Sequence, residues 1–202
     1  MLSGRRRLFH HILHSWGATP AIIATHHPAE KIRQLHTRLG ELPDKPSEGD
    51  SSRDATADRS TDATDQPLVI DSTTITSDQP PGASPQTRYA QGPGNLTSIG
   101  TAFTQIVEDH TTDSLAVGID SISPLLQYAS GQAVYRFVHL IVQQAVGVGW
   151  PVAATIDSKA HDEIDIERFV PIFDAVLETR LTDAGEQEFR VRGPTRSEWQ
   201  LI

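Results

Sequence analysis

The sharpest chemical signal in the sequence is an acidic residue at the end of an apolar run. Residues 115–120 read LAVGID, so the run ends in Asp120, and Ser121 follows it. A continuous apolar run is typical of a central strand in a parallel sheet, and ligands bind at the carboxyl ends of such strands. In nucleotide hydrolases an Asp at this position holds magnesium. An ordinary buried strand capped by an Asp gives the same pattern, so both interpretations stay open.

The start of the chain contains a second candidate site. A phosphate loop has the form GxxxxGK[ST] between a strand and a helix, and its amides, Lys and hydroxyl bind phosphates and magnesium. Gly4 occupies the place of the second glycine, Arg5 that of the Lys and Arg6 that of the hydroxyl residue. The first glycine and the preceding strand are missing. Arg5 and a helix N-terminus still favour a phosphate, whereas a basic tail leading into a helix is the alternative.

Several histidines are spaced as metal ligands often are. His10 and His14 are four residues apart and would share one face of a helix. Further ligands could come from His26 and His27 and from the run His161, Asp162 and Glu163. No spacing fixes a third ligand and the HExxH motif is absent, so surface or hydrogen-bonded histidines explain the pattern better. The G-x-S-x-G elbow is also absent, which leaves the serines near residue 121 without a predicted nucleophilic role.

The elements that position these residues alternate between strand and helix. Helical periodicity and short apolar runs predict helices at 5–16, 28–39, 95–109 and 132–146, and strands at 20–25, 67–72, 115–120, 151–157 and 175–179. Two late strands, EFRVRG and EWQLI, follow short turns and are predicted to be antiparallel. The fold class is therefore α/β, with three layers, a mostly parallel sheet and a short antiparallel C-terminal extension. Asp157 would end one of the parallel strands at the same edge as Asp120.

We expect one domain over residues 1–202, interrupted by a disordered insertion. Residues 43–66 are polar and acidic and contain almost no large apolar side chain, so burial cannot offset the entropy of ordering them. Residues 76–94 are rich in Pro, Gly and Ser and are predicted to be loop.

The overall composition excludes several classes of protein. The net charge of -9 disfavours general nucleic-acid binding. The three lysines, Lys31, Lys45 and Lys159, among many acidic residues fit a protein adapted to high salt. No cysteine is present, which excludes disulfides and Cys-ligated metals. No apolar run reaches the ~18 residues of a membrane span, and the N-terminus lacks the pattern of a signal peptide. We therefore expect a cytoplasmic protein.

The order of the motifs resembles the RecA superfamily, and within it the KaiC-like ATPases of salt-loving archaea. LAVGIDSISPLLQY followed by a long apolar helix is similar to the Walker B segment of those proteins, and PVAATID to their next strand. FDAVLET and FRVRGPTRSEWQLI are similar to their C-terminal end, and QGPGNLTSIGTAF to the segment before Walker B. The resemblance covers about residues 1–42 and 67–202.

The resemblance implies a RecA-like fold that is incomplete at its N-terminus. It implies ATP and magnesium as ligands, bound by Gly4, Arg5, Arg6, Asp120 and Ser121, with Asp120 as the magnesium ligand. The KaiC-like ATPases end their second strand in Glu residues that activate water, whereas His26 and His27 stand near that place here. The loss of the Lys, the hydroxyl and the Glu together predicts a weak or inactive ATPase.

The missing strand leaves three explanations. The true start lies upstream, the two neighbouring strands close up, or a partner supplies the strand. Our first hypothesis is a non-catalytic, degenerate RecA/KaiC-like protein with a regulatory or interaction role and weak nucleotide binding. The alternatives are an active ATPase whose true start lies upstream, and an oligomerising interaction module that binds no nucleotide. We expect a homo-oligomer or a protein partner, and neither a membrane nor a nucleic acid.

Overall fold

A computed structural model describes residues 4–40, 66–74, 84–193 and 196–201. Strands and helices alternate along most of this part of the chain, as the apolar periodicity predicts. The strands are β1 (Thr19–Ala24), β2 (Leu68–Asp71), β3 (Thr87–Tyr89), β4 (Leu115–Ile119), β5 (Val152–Ala154), β6 (Val176–Leu181), β7 (Gln187–Arg192) and β8 (Gln200–Leu201). The helices are α1 (Gly4–Ser15), α2 (Ala29–Gly40), α3 (Leu96–Asp109), α4 (Ser123–Tyr128), α5 (Gly131–Gly147) and α6 (Glu163–Phe169), with a 3-10 turn at Val170–Ile172.

Two sheets organise these elements. The first has the strand order β3-β2-β1-β4-β5, and all of its neighbours are parallel. The second is antiparallel, with the order β6-β7-β8. The chain is therefore α/β with a mostly parallel sheet and a short antiparallel C-terminal extension, and the predicted fold class is confirmed.

Helices cover both faces of the parallel sheet, because each strand sends alternate side chains to opposite sides. On one face, α1 and α2 pack through Phe9, Leu13 and Ile32 against Ile22 and Val69. The other face carries the larger core, whose fully buried members include Ile23, Ile99, Phe103, Val117, Ile119, Val134 and Val138. The layers are thus helix, sheet and helix.

A glycine in β4 lets α1 approach the sheet closely. A β-carbon added at Gly118 would lie 2.8 Å from both Leu13 Cδ1 and Phe9 Cζ. That separation is shorter than real side-chain contacts allow, so only glycine fits here without movement. The close approach of α1 also fixes where the N-terminus of this helix lies relative to the end of β4.

One predicted loop contains a strand in the structure, and one predicted insertion lies outside the residues that the structure describes. Residues 76–94 were expected to be loop throughout, but Thr87–Tyr89 forms the edge strand β3 beside β2. The sequence signal was weak because this strand is three residues long and two of its residues, Arg88 and Tyr89, are only half-buried. The predicted insertion at 43–66 lies outside the described residues except for Gln66.

Two local expectations have clear outcomes. Asn95 was expected to cap α3, and its side chain accepts a hydrogen bond from Ser98 N at 2.9 Å, which confirms the cap. Within the described ranges, none of the helices combines the length and the apolar character that crossing a membrane requires.

Candidate functional site

The carboxyl ends of the parallel strands bring the predicted site residues to one edge of the sheet. Thr25 follows β1, Asp71 ends β2, Asp120 follows β4, and Asp157 lies just beyond β5. Parallel strands end at the same edge, so these side chains converge there. The structure therefore places Asp120 and Asp157 as the sequence predicted, and adds Thr25 and Asp71.

The carboxylate of Asp120 accepts hydrogen bonds from the neighbouring strand end. Thr25 N donates to Asp120 Oδ1 at 2.8 Å, and Thr25 Oγ1 lies 2.7 Å from the same oxygen. His26 N donates to Asp120 Oδ2 at 3.3 Å. The Thr25 hydroxyl is also 2.5 Å from the carbonyl oxygen of Ser121, so its one proton serves both acceptors. Both oxygens of the predicted magnesium ligand are thus already engaged by protein donors.

Burial raises the pKa of the Asp120 carboxyl, because a charge is less stable away from water. The hydrogen bonds from Thr25 and His26 act in the opposite direction and only partly offset the burial. The environment therefore opposes the ionised form that a magnesium ligand requires. The geometry holds the loop after β1 against the loop after β4.

Ser121 belongs to the same network and is buried. Its Oγ accepts a hydrogen bond from Ser123 N at 3.3 Å. Ser123 Oγ in turn accepts from Asp157 N at 3.0 Å, which joins the loops after β4 and β5. The hydroxyl oxygen of Ser121 therefore already accepts one hydrogen bond within the protein.

The N-terminus of α1 also lies at this edge. Gly4 is its first residue and is buried. Arg5 Nη1 donates to the carbonyl oxygen of Ile156 at 2.9 Å and lies 3.6 Å from Asp157 Oδ2. The guanidinium that stands in the place of the phosphate-loop Lys thus contacts the loop after β5. Its partners leave less of its charge for a phosphate.

Arg6 lies on the side of α1 that faces the histidine pair. Burial lowers the pKa of His27, and the positive charge of Arg6 lowers it further. The rings of His26 and His27 are 4.6 Å apart, edge to face. His27 Nε2 is buried, and the described residues provide no hydrogen-bond partner for it. Arg6 lies in the first turn of α1, where its positive charge and the helix N-terminus both favour an anion.

Asp71 is a buried acid that the sequence did not single out. Its carboxylate accepts from Ala29 N at 2.9 Å, from Thr73 N at 2.8 Å and from Thr74 N at 3.0 Å. The hydroxyls of Thr73 and Thr74 also donate to it. Burial alone would raise the pKa of Asp71, but these hydrogen bonds hold it below the ordinary value. Asp71 therefore fixes the start of α2 and the turn after β2, which is a structural role.

His10 and His14 follow the favoured interpretation, a hydrogen-bonded and a surface histidine, and not that of a shared metal site. His10 Nδ1 instead lies 3.3 Å from Nδ1 of His36 on α2, and both imidazoles are buried, whereas His14 is exposed. Burial lowers the pKa of His10 to about 3, with help from His36 and Arg6. The two rings form a hydrogen-bonded pair between α1 and α2.

The remaining candidate ligands lie elsewhere in the fold. His161 and Asp162 lie just before α6, and Glu163 is the first residue of that helix. Across the described part of the chain, no group of three or more His, Asp or Glu residues is placed to hold a metal ion.

A family model matches most of the chain. Residues 4–179 match DUF7504, a family of unknown function. None of the proteins with curated descriptions matches the chain. Among solved structures, the chain is similar to an uncharacterized protein from Pyrococcus horikoshii, crystallised in complex with an unknown peptide. The TM-score is 0.59 and the identity 13%, over 98% of this chain and 86% of that chain. This likeness concerns the fold alone.

Proposed function

The chain belongs to DUF7504, a family of unknown function, and from that premise we propose that it is a non-catalytic, degenerate RecA/KaiC-like protein with a regulatory or interaction role. In this proposal the carboxyl edge of the sheet binds a nucleotide or another phosphate weakly and does not hydrolyse it. We also propose that the protein acts in the cytoplasm, as a homo-oligomer or with a protein partner.

One observation carries the proposal: the carboxylate of Asp120 already accepts hydrogen bonds from Thr25 and His26. A magnesium ion in a nucleotide hydrolase takes its oxygen ligands in near-octahedral geometry and needs an ionised carboxylate beside the phosphates. The two donors from Thr25 occupy both lone pairs of Asp120 Oδ1, so a metal ion could reach only Oδ2 without displacing them. Displacing Thr25 N would cost about 1–3 kcal/mol for the buried group left unpaired.

The other parts of a hydrolase site are also replaced. Arg5 stands where the Lys is expected and contacts Ile156 and Asp157. Arg6 stands where a magnesium-binding hydroxyl is expected, and His26 and His27 stand near the expected Glu. Magnesium therefore does not fit the residues present. The phosphates of ATP fit better, because the positive Arg6 lies in the first turn of α1, whose N-terminus favours anions.

The interaction role has separate support. The similar Pyrococcus protein was crystallised with an unknown peptide, and among the described residues the outer edge of β5 pairs with no strand, so such a ligand could pair there. An interaction module without nucleotide is therefore our second candidate. The active ATPase with an upstream start remains the third and requires the missing phosphate-loop residues.

The test combines phosphate release with ATP binding by calorimetry, in the wild type and in three variants. Arg6→Gln removes the positive charge proposed to bind phosphate. Asp120→Asn removes the negative charge of the carboxylate that accepts hydrogen bonds from Thr25 and His26. Arg38→Gln is the matched control, because Arg38 is exposed near the C-terminal end of α2, away from the carboxyl edge of the sheet. We expect no phosphate release and a dissociation constant on the order of 1 mM. We also expect Arg6→Gln, unlike Arg38→Gln, to weaken binding several-fold.

Steady phosphate release that Asp120→Asn abolishes would overturn the non-catalytic assignment. Equal ATP affinity in the wild type and Arg6→Gln would overturn the anion site and favour the module without nucleotide.

A further inference from the structure

The outer edge of β5 presents backbone groups that no described strand pairs. β5 is the last strand of the parallel sheet. On its inner side, Val117 N donates to Pro151 O at 2.8 Å and Thr155 N donates to Ile119 O at 3.1 Å. In a parallel ladder alternate residues point their backbone groups to the same side. The N–H and C=O groups of Val152 and Ala154 therefore point outward.

This edge is apolar on both sides of the sheet. Val152 and Ala154 pack against the larger core, whereas Ala153 packs against the core beneath α1. All three residues are nevertheless only partly buried. A central parallel strand is normally buried on both faces, so these strand residues lack a neighbour that would complete their burial.

The second sheet has a free edge in the same region. β6 pairs only with β7 within the described residues. Helix α1 contacts both β5 and β6, so it lies beside the end strands of the two sheets. An extended segment that pairs with β5 would therefore lie under the same helix as β6.

The charges at the carboxyl end of this edge indicate a direction. Arg5 donates to the outward carbonyl of Ile156 and so closes the edge just beyond Ala154. Arg5, the exposed Lys159 and the N-terminus of α1 bring positive charge to this end, and Asp157 and Asp162 oppose it. A parallel segment would bring its own C-terminal end here, where an acidic residue is favoured.

We propose that the outer edge of β5 binds, in parallel, an extended apolar segment of a partner protein that ends in an acidic residue. The outward amides and carbonyls of Val152 and Ala154 supply the hydrogen bonds, and the two cores beside β5 receive side chains from both faces of the segment. The proposal names the partner chemistry for the interaction role proposed above, on which it rests.

The probe is a fluorescently labelled peptide with the sequence LAVGIDS, copied from residues 115–121, because it is apolar on both faces and ends in an acid followed by Ser. Control peptides carry Pro in place of the Val, which removes an amide donor, or Lys in place of the Asp. The variant Ala154→Pro removes an outward N–H, and Ala154→Val is its matched control, since it keeps that N–H.

We expect the wild type and Ala154→Val to bind LAVGIDS, and Ala154→Pro and the Pro peptide to lose at least about tenfold in affinity. The Lys peptide should bind several-fold more weakly. Hydrogen exchange in the wild type gives a readout that does not depend on any variant folding. The bound peptide should slow exchange of the Val152 and Ala154 amides.

Equal affinity for all three peptides, or unchanged exchange of both amides at saturating peptide, would overturn the proposal. Protection of those amides in the free protein that depends on its concentration would overturn it in favour of pairing between two copies. These readouts involve no nucleotide, so their failure is distinct from failure of the non-catalytic assignment.

Discussion

The buried pair His10–His36 predicts how stability depends on pH. Burial, His36 and Arg6 lower the pKa of His10 to about 3 in the folded protein, from 6.5. The unfolded chain therefore binds a proton that the folded chain excludes. The contribution of the neutral His10 to the free energy of unfolding is therefore complete above about pH 6.5, and it is lost as the pH falls toward about 3.

The magnitude follows from the two pKa values. At about pH 5 most unfolded molecules carry the proton and almost no folded molecules do, which lowers the free energy of unfolding by about 2 kcal/mol relative to about pH 7.5. Other groups with shifted pKa values, such as Asp120 and His27, contribute to the wild type and to a His10 variant alike and cancel in the comparison. The perturbation is His10→Gln, which does not titrate and whose amide can still donate to His36.

The assay is urea denaturation of the wild type and His10→Gln at both pH values. The wild type should lose about 2 kcal/mol more than His10→Gln between about pH 7.5 and about pH 5. His14→Gln is the matched control, since His14 is exposed one turn further along α1, and it should follow the wild type. If the free energy of unfolding falls equally in the wild type and in His10→Gln, the pH dependence does not come from His10.

Three further substitutions test the packing and the network, each by urea denaturation at neutral pH. Thr25→Val removes the hydroxyl that contacts Asp120 and Ser121 and should lower the free energy of unfolding by about 1–2 kcal/mol. A change near zero would show that these hydrogen bonds add no stability. Asp71→Asn replaces an acceptor by a donor facing Thr73 or Thr74, and should cost about 2–3 kcal/mol at neutral pH. That cost should shrink as the pH falls below about 3.8, since protonation then removes the wild type's advantage. Gly118→Ala should cost about 1–3 kcal/mol because the added carbon meets Phe9 and Leu13, and unchanged stability would mean that α1 shifts freely.

The regular elements were predictable because they depend on local periodicity. The run LAVGI forms β4, an interior strand of the parallel sheet, and Asp120 lies at its carboxyl end as expected. The cap at Asn95 also follows from nearby residues. Strand β3 was missed because its apolar signal spans only three residues beside a Pro- and Gly-rich stretch.

The contacts of the site were not predictable, because they join residues far apart in the chain. Thr25 and Asp120 are 95 positions apart, and nothing in the sequence around either residue identifies the other as its partner. His10 and His36 meet only because α1 packs on α2. The sequence therefore indicated which residues reach the edge, whereas their hydrogen-bond partners required the structure.

We propose that the carboxylate of Asp120 accepts hydrogen bonds from the protein and does not bind magnesium. The most direct measurement compares the ATP dissociation constant of the wild type with and without magnesium, by calorimetry. We expect weak binding in both conditions, and a ratio of the two dissociation constants near one. Tightening of about tenfold or more with magnesium, lost in Asp120→Asn, would contradict it.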